Sequence, residues 1–375
     1  MLDGIILTLL IGPLETPIPA PLPLTEALVS VQVNSGRDRT GFQLSFTIGN
    51  ISPLQVLISA GQLDPMATRV IVIVTYKGMP SVLCDGVVTQ HQISPSNQPG
   101  QSTLTVTGED LSVLMDVMEI KIPYPGMPDS AKLMTMLSKY AAYGIIPVVI
   151  PPNADNARTP NKGTDTQTTT DLTYIKSIAA RTGYTFFIEP GPLPYSSVAY
   201  FGPDERLPVP QPALNVNMDW QTNVESLNFT LNGLSKQTTV VTIMDPVTKK
   251  IPLPIPLPGI DILKPPLTVR SIPPAKIKLS EDLANLEPDQ AAKRVFGLIR
   301  KGADSVTASG SLSVLRYGWI LRSRMYVGVR GAGPSYDGLY YVESVTHNLK
   351  RGEYKQNFTL SRDGLISLTP VVIPA

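Results

Sequence analysis

The chain has 375 residues, of which 16 % are charged, with a formal net charge of +1 and a mean hydropathy of +0.08. That length accommodates two or three domains, and so little charge beside 42 % hydrophobic residues excludes a disordered chain and implies extensive burial, including burial against other subunits. A single cysteine, Cys84, excludes an internal disulfide framework, and its apolar surroundings make it a buried structural thiol.

Residues 4–11 read GIILTLLI, yet the first basic residue is Arg37, so a secretory leader is not indicated. The run is also far shorter than the ~20 residues of a membrane helix. Prolines at 13, 17, 19, 21 and 23 then enforce an extended path. Residues 1–24 are expected to form an apolar, Pro-rich arm on a protein surface, its own or a neighbour's.

Strand signals fill residues 25–115. Val29, Val31 and Val33 alternate with Ser30, Gln32 and Asn34, and Phe42, Leu44, Phe46 and Ile48 alternate with Gln43, Ser45 and Thr47. Residues 70–74 (VIVIV) are continuously apolar, as in a strand covered on both faces. Residues 81–93 and the alternation of Leu104 and Val106 with threonines complete a small β-barrel or sandwich.

Residues 116–210 change character. Asp129 or Ser130 caps a helix through Tyr143, which Gly144 stops; a second begins at Thr170 and Asp171 and ends at Gly183. A Thr-rich polar loop, residues 151–170, separates them. Strands at 184–188 (YTFFI) and 198–201 make this an α/β insert, ending Phe201-Gly202-Pro203.

β-type sequence resumes over 211–375, interrupted by a Pro-rich and helical insertion at 236–304. That insertion holds IPLPIPLPG at 251–259 and a helix expected over 289–301. Alternate prolines predict an extended polyproline-like path, and the intervening Ile and Leu are too apolar for a free linker, so the segment is expected to pack.

The closing strings are Tyr340-Tyr341-Val342-Glu343-Ser344-Val345-Thr346-His347, a Lys350-Arg351-Gly352-Glu353 turn, and Tyr354-Lys355-Gln356-Asn357-Phe358-Thr359-Leu360-Ser361-Arg362-Asp363-Gly364-Leu365. Physically this is a hairpin with Tyr354, Gln356, Phe358 and Leu360 on one face. Its wording resembles the end of the phage late control D family, baseplate hubs of contractile tails and related injection systems. The helix, aromatic strand and Phe-Gly-Pro of the insert resemble the same family.

A weaker internal repeat accompanies it. Leu44-Ser45-Phe46-Thr47 resembles Leu227-Asn228-Phe229-Thr230, and the strand at 103–111 resembles that at 357–365. The two histidines, His91 and His347, each fall in the strand before the closing one. The expectation is two similar tail-tube-like β-barrel domains flanking the α/β insert, with Phe46 over Phe229 and Leu104 over Phe358.

The inventory argues against chemistry. Two histidines and one cysteine assemble no Cys/His zinc site, and no G-x-S-x-G elbow accompanies a histidine. No cofactor-binding, metal or catalytic residue is assigned, and no enzyme is expected. A wall hydrolase needs only two carboxylates, for which Glu189, Asp204 and Glu205 are the candidates, with solvated surface acids as the plainer reading. Between Lys293 and Arg362, twelve Lys or Arg face four acids, a surplus read first as docking an acidic partner and last as nucleic-acid recognition.

The resemblance implies a structural baseplate hub, a homotrimer joining a hexameric tail tube protein to a trimeric spike, among other baseplate proteins. With no spike-type repeat after Leu365 the spike is expected to be a separate chain, and the duplicated barrel is expected to leave an open lumen for cargo. The resemblance also implies assembly in the bacterial cytoplasm into a tail or injection particle, no sequence-specific nucleic acid and no transmembrane segment. A peptidoglycan hydrolase or wall-binding protein of the same particle is the alternative.

Overall fold

Strands with one apolar face must pair and cover that face, and here the coverage is largely mutual. The computed structural model of the chain describes residues 4–49, 52–98, 101–152, 155, 164–204, 210–244, 252–257, 266–279 and 304–368. The first portion comprises β1 (Ile5–Pro13), β2 (Ile18–Pro19), α1 (Leu22–Ala27), β3 (Leu28–Ser35), β4 (Thr40–Thr47), α2 (Pro53–Ser59), β5 (Thr68–Tyr76), β6 (Met79–Ser94) and β7 (Thr103–Asp110). An α/β unit follows, with β8 (Ile122–Tyr124), α3 (Asp129–Ser138), β9 (Ile145–Val149), β10 (Asp165–Gln167), α4 (Asp171–Thr182), β11 (Thr185–Pro190) and β12 (Ser197–Gly202). Next come β13 (Gln211–Asn215), β14 (Ser226–Leu231), β15 (Gln237–Met244), β16 (Pro252–Leu257), β17 (Thr268–Ser271) and β18 (Lys276–Leu279). The chain ends with β19 (Val306–Ser313), α5 (Val314–Tyr317), β20 (Tyr326–Arg330), β21 (Gly338–Lys350), β22 (Glu353–Arg362) and β23 (Gly364–Ser367).

Thirteen strands form one sheet whose main path is β14-β19-β22-β21-β3-β4-β7-β6-β5-β1-β2, with β20 and β13 branching from β21. Five strands of the two halves have one order with antiparallel pairing throughout, β3-β4-β7-β6-β5 and β14-β19-β22-β21-β20. Beyond them β1 pairs antiparallel with β5, whereas β13 pairs parallel with β20. Both halves carry a bulge at the same place, between Val88 and Gln90 of β6 and between Val342 and Ser344 of β21. In each half a non-glycine residue in the left-handed region, Met66 at φ 62° or Arg324 at φ 61°, donates its N–H to the carbonyl of Val88 or Val342, at 2.7 and 2.8 Å.

Aligning the bulges places Gly108 with Leu360, Val106 with Phe358, Phe42 with Ala308, Phe46 with Leu312 and Val33 with Phe229. This corrects the string matches. Phe46 does not lie over Phe229, because β4 corresponds to β19 and β14 to β3. Leu104 corresponds to Gln356 rather than Phe358, a slip of two residues that keeps the face because side chains alternate with period two.

The expected closed barrels are also corrected. Among the described residues the pairing path is open, ending at β14 and at β2. The outer edge of β3 pairs antiparallel with β21, from Val345↔Ser35 to Lys350↔Ser30. One apolar cluster accordingly spans both halves, from Val33, Leu44 and Val72 to Val327, Val345 and Leu360.

The N-terminal segment lies on its own chain, as a strand of the sheet. β1 pairs along its whole length with β5, from Ile5↔Tyr76 to Pro13↔Thr68, burying Leu9, Leu10 and Ile11. Helix α1 follows, unforeseen because prolines dominate there, yet Pro23 falls in the first turn, where its missing N–H costs nothing.

The 251–259 segment is corrected too. It contains β16, paired from Thr239↔Leu257 to Met244↔Pro252, rather than a polyproline helix. Pro252, Pro254 and Pro256 alternate, so the N–H groups of Leu253, Ile255 and Leu257 all fall on one edge and can serve β15. The helix expected over 289–301 lies outside the described residues.

In the α/β unit the caps act as the sequence dictates. Thr170 accepts the N–H of Thr173 at 3.2 Å, and Gly183 ends α4 at φ 70°. Helix α3 stops at Ser138, five residues before the expected Tyr143, and a short 3-10 turn bridges to Gly144. The unit's core of Leu133, Leu137, Ile175, Ile178 and Phe201 also takes in Val87, Leu111 and Met115 from the first half. A fully buried ion pair ties the two together: Arg69 donates to Asp85 at 2.7 and 2.6 Å and to the Leu14 carbonyl, and Ser197 of β12 donates to Asp85 at 3.0 Å.

Candidate functional site

Charged residues of an otherwise apolar chain converge where the two sheet halves meet the α/β unit. Arg37, in the turn between β3 and β4, pairs with Asp204 just after β12 and lies 3.6 Å from Glu343 of β21. Glu343 is the bulged residue, and a bulge re-aims its side chain. The corresponding residue of the first half is Thr89, whose hydroxyl donates to the Thr107 carbonyl at 3.3 Å. Tyr341 donates to Asp204 at 3.1 Å, with the Arg37 guanidinium 6.0 Å from its ring centroid. The hydroxyl of Ser361 sits 2.8 Å from Glu343 and 2.6 Å from Asp304.

On the other side Arg324, 2 % exposed, lies 4.2 Å above the ring of Phe187, donates to the Arg37 carbonyl at 3.0 Å and reaches Glu189 at 3.9 Å. Burial opposes the charge on Arg37, but Asp204, Glu343 and Tyr341 more than offset it and hold its pKa above the ordinary value. Burial, then Asp204, pushes the Tyr341 phenol up.

Two of the sequence candidates therefore join one cluster. Glu189 lies 3.9 Å from Arg324 and Asp204 pairs with Arg37, so each faces a guanidinium. Glu205 lies outside the described residues. Arg37, Arg324 and Tyr341 escaped the sequence reading, since a buried arginine beside a bulge leaves no period-two signature.

The histidines stay apart. His91 is half-buried, its Nδ1 3.3 Å from the Leu63 carbonyl. His347 is buried, and burial, then Arg322, pushes its pKa down to about 3. Cys84 is fully buried, and burial raises its thiol pKa. Among the described residues no group of three His, Cys, Asp or Glu side chains suits a metal ion. No helix there is long and apolar enough to cross a membrane.

Of the basic residues counted between 293 and 362, those at 293, 294, 300 and 301 lie outside the described residues, and several of the others make contacts within the chain. Arg362 is buried against Tyr340 and donates to the carbonyls of Gly364, Asp337 and Ser335, while Lys355 pairs with Glu225 and Glu353. Arg351 donates to the Glu26 carbonyl.

No family model matches the sequence, and no curated protein does. The fold is nonetheless shared with solved structures over nearly the whole chain. A tail protein from Neisseria meningitidis MC58 is similar at TM-score 0.60 and 16 % identity, over 97 % of this chain and 98 % of that one. The 43 kDa tail protein of prophage MuSo2 from Shewanella oneidensis is similar at TM-score 0.64 and 12 % identity, over 96 % and 99 %. The E. coli c3393 protein is a type VI secretion component described as structurally similar to the T4 tail proteins gp27 and gp5. It matches at TM-score 0.53 and 13 % identity, over 92 % of this chain and 77 % of that one. The fold is thus that of phage tail and type VI secretion tail proteins.

Proposed function

We propose that this chain is a structural hub of a contractile tail or tail-like injection particle, three copies of which join a sixfold tube to a threefold spike. The observation that carries this reading is the repeated strand order with its matched bulges and matched left-handed residues. Each chain contributes two similar modules, so a trimer presents six around one axis and meets a sixfold ring without breaking closed symmetry, while its own symmetry remains threefold. Shared fold with phage tail and secretion tail proteins supports the setting, and the late control D wording of the C-terminal hairpin supports the hub role. The particle assembles in the bacterial cytoplasm in this reading.

The charged junction is the clasp that fixes the two modules and the α/β unit relative to one another. In this reading the protein has no hydrolytic activity of its own, which the pairing of Glu189 and Asp204, the described candidate carboxylates, with arginines supports. Mass measurement of the purified chain and electron imaging of it with tube protein test the proposal. A three-subunit ring stacked on a sixfold tube is expected. A chain that never trimerises, or one that clears a suspension of purified cell walls, overturns it.

A further inference from the structure

Within one chain, the opening strand of the first half (β3) pairs with the end of the penultimate strand of the second half (β21). Among the described residues the corresponding strands, β14 of the second half and the end of β6, have no such partner. Among the described residues β14 pairs with β19 alone, and residues 91–94 of β6 pair with β7 alone. From this geometry we infer that β14 of one copy pairs antiparallel with the end of β6 of a neighbouring copy, repeating between chains the junction that β3 and β21 make within one. The inference rests on the trimer proposed above and names the surface that closes it.

Register follows from the bulge alignment. Val345, Thr346, His347 and Asn348 of β21 lie opposite Ser35, Asn34, Val33 and Gln32 of β3. Their counterparts put His91 opposite Leu231, Gln92 opposite Thr230, Ile93 opposite Phe229 and Ser94 opposite Asn228. Pro95 follows and stops the ladder for want of an N–H. Six residues of β3 meet β21, and β14 has the same six-residue length.

Side-chain chemistry agrees at each step. In β3, Val31 and Val33 are buried while Gln32 and Asn34 are exposed; in β14, Leu227 and Phe229 are half-buried while Asn228 and Thr230 are exposed. Thr346 donates to Asn34 at 3.3 Å across the internal junction, and Thr230 facing Gln92 offers a comparable polar pair. Ile93 and Leu231, 41 % and 42 % exposed, would both be covered.

The edges themselves differ in protection. β16 carries three prolines, and β9, the edge strand of its own sheet, carries Pro147, whereas β14 reads SLNFTL with neither charge nor proline. An uncharged edge left open is an invitation to pair, which proteins otherwise guard against. The contact is head-to-tail, and in the trimer proposed above three repeats of it close a ring of six modules.

Cysteines at the exposed positions Gln92 and Thr230 test the register, with the native Cys84 fully buried. Oxidising the purified double variant Q92C/T230C is expected to give covalent species of two and three chain masses, absent from either single variant. The displaced pair Q92C/N228C should give much less. Mass measurement without oxidation accompanies each, and thermal melting checks folding. A trimer that the Gln92 and Thr230 cysteines fail to link overturns the edge pairing and leaves the hub reading standing. A chain that is monomeric at every concentration overturns both.

Discussion

At His347 the amide of Gln356 decides which ring nitrogen carries the proton. Leu321 donates to Gln356 Oε1 at 3.0 Å and accepts from Nε2 at 2.8 Å, so the amide has one orientation. Gln356 Nε2 then donates to His347 Nδ1 at 3.1 Å, and the Tyr354 hydroxyl lies 2.7 Å from the same atom. The ring is held neutral, with its proton on Nε2, and its pKa falls from 6.5 to about 3 through burial and then Arg322. The unfolded chain protonates this ring below pH 6.5 and the folded chain does not. Its contribution to stability is therefore complete above pH 6.5 and is lost as pH falls towards 3, at ~1.4 kcal/mol per unit. Urea midpoints measured across that window should fall with pH in the native protein and fall less steeply in His347→Gln. The buried pair of Arg69 and Asp85 gives a second residue-level expectation. Arg69→Met leaves Asp85 charged and unpaired and should cost about 3–5 kcal/mol in urea unfolding, whereas R69M/D85L should regain much of it. Equal losses in the single and double variants would refute that account.

Strand pairs show where sequence sufficed and where it did not. Alternation in β4 and β7 and the continuous run in β5 announced strands because burial on one face or two leaves a direct imprint on residue type. The hairpin of β21 and β22 was equally legible, with Tyr354, Gln356, Phe358 and Leu360 all buried as their shared face requires. Which strand answers which was not legible, because strings such as LSFT and LNFT record a face and not a neighbour. Bulges settle the matter, and they arise from tertiary pairing. Nor did the sequence mark β16 as a strand, since alternate prolines forbid one edge only. The clasp stayed hidden for the same reason: Arg37, Arg324 and Asp204 are far apart in the chain, and only sheet order brings them together. One local device does recur. Phe42 covers Gly108 across β4 and β7, and Phe358 covers Gly310 across β19 and β22. A Cβ at Gly310 would lie 2.7 Å from the Phe358 ring and 2.3 Å from the Ser226 carbonyl, and one at Gly108 would lie 2.3 Å from the Phe42 ring. Gly310→Ala and Gly108→Ala should each destabilise by roughly 1–3 kcal/mol, read from denaturant midpoints. An unchanged midpoint in either would show that ring and neighbouring backbone both give way at little cost.

For the whole molecule, the continuous sheet distinguishes two kinds of junction. The one inside the chain has six opposed residue pairs and is backed by a core that runs through both halves, by the clasp at Arg37 and by Arg324 beneath it. The inferred junction between chains has four pairs ending at Pro95, and it must overcome the loss of translational and rotational freedom on association. The clasp has no counterpart there, because Thr89 stands where Glu343 stands. Subunits should therefore separate before modules do. Heating the assembled protein should give two transitions, the lower being dissociation and the upper the unfolding of single chains. Only the lower depends on mass action, so a tenfold rise in protein concentration should raise it and leave the upper one unmoved. The Q92C/T230C variant, once oxidised, should lose that concentration dependence, since its subunits can no longer part. Scanning calorimetry at two concentrations, with and without reductant, reads all of this. A single transition that ignores concentration in the unlinked protein would mean that the chain folds and melts without a partner, and that the open edge of β14 has some other occupant.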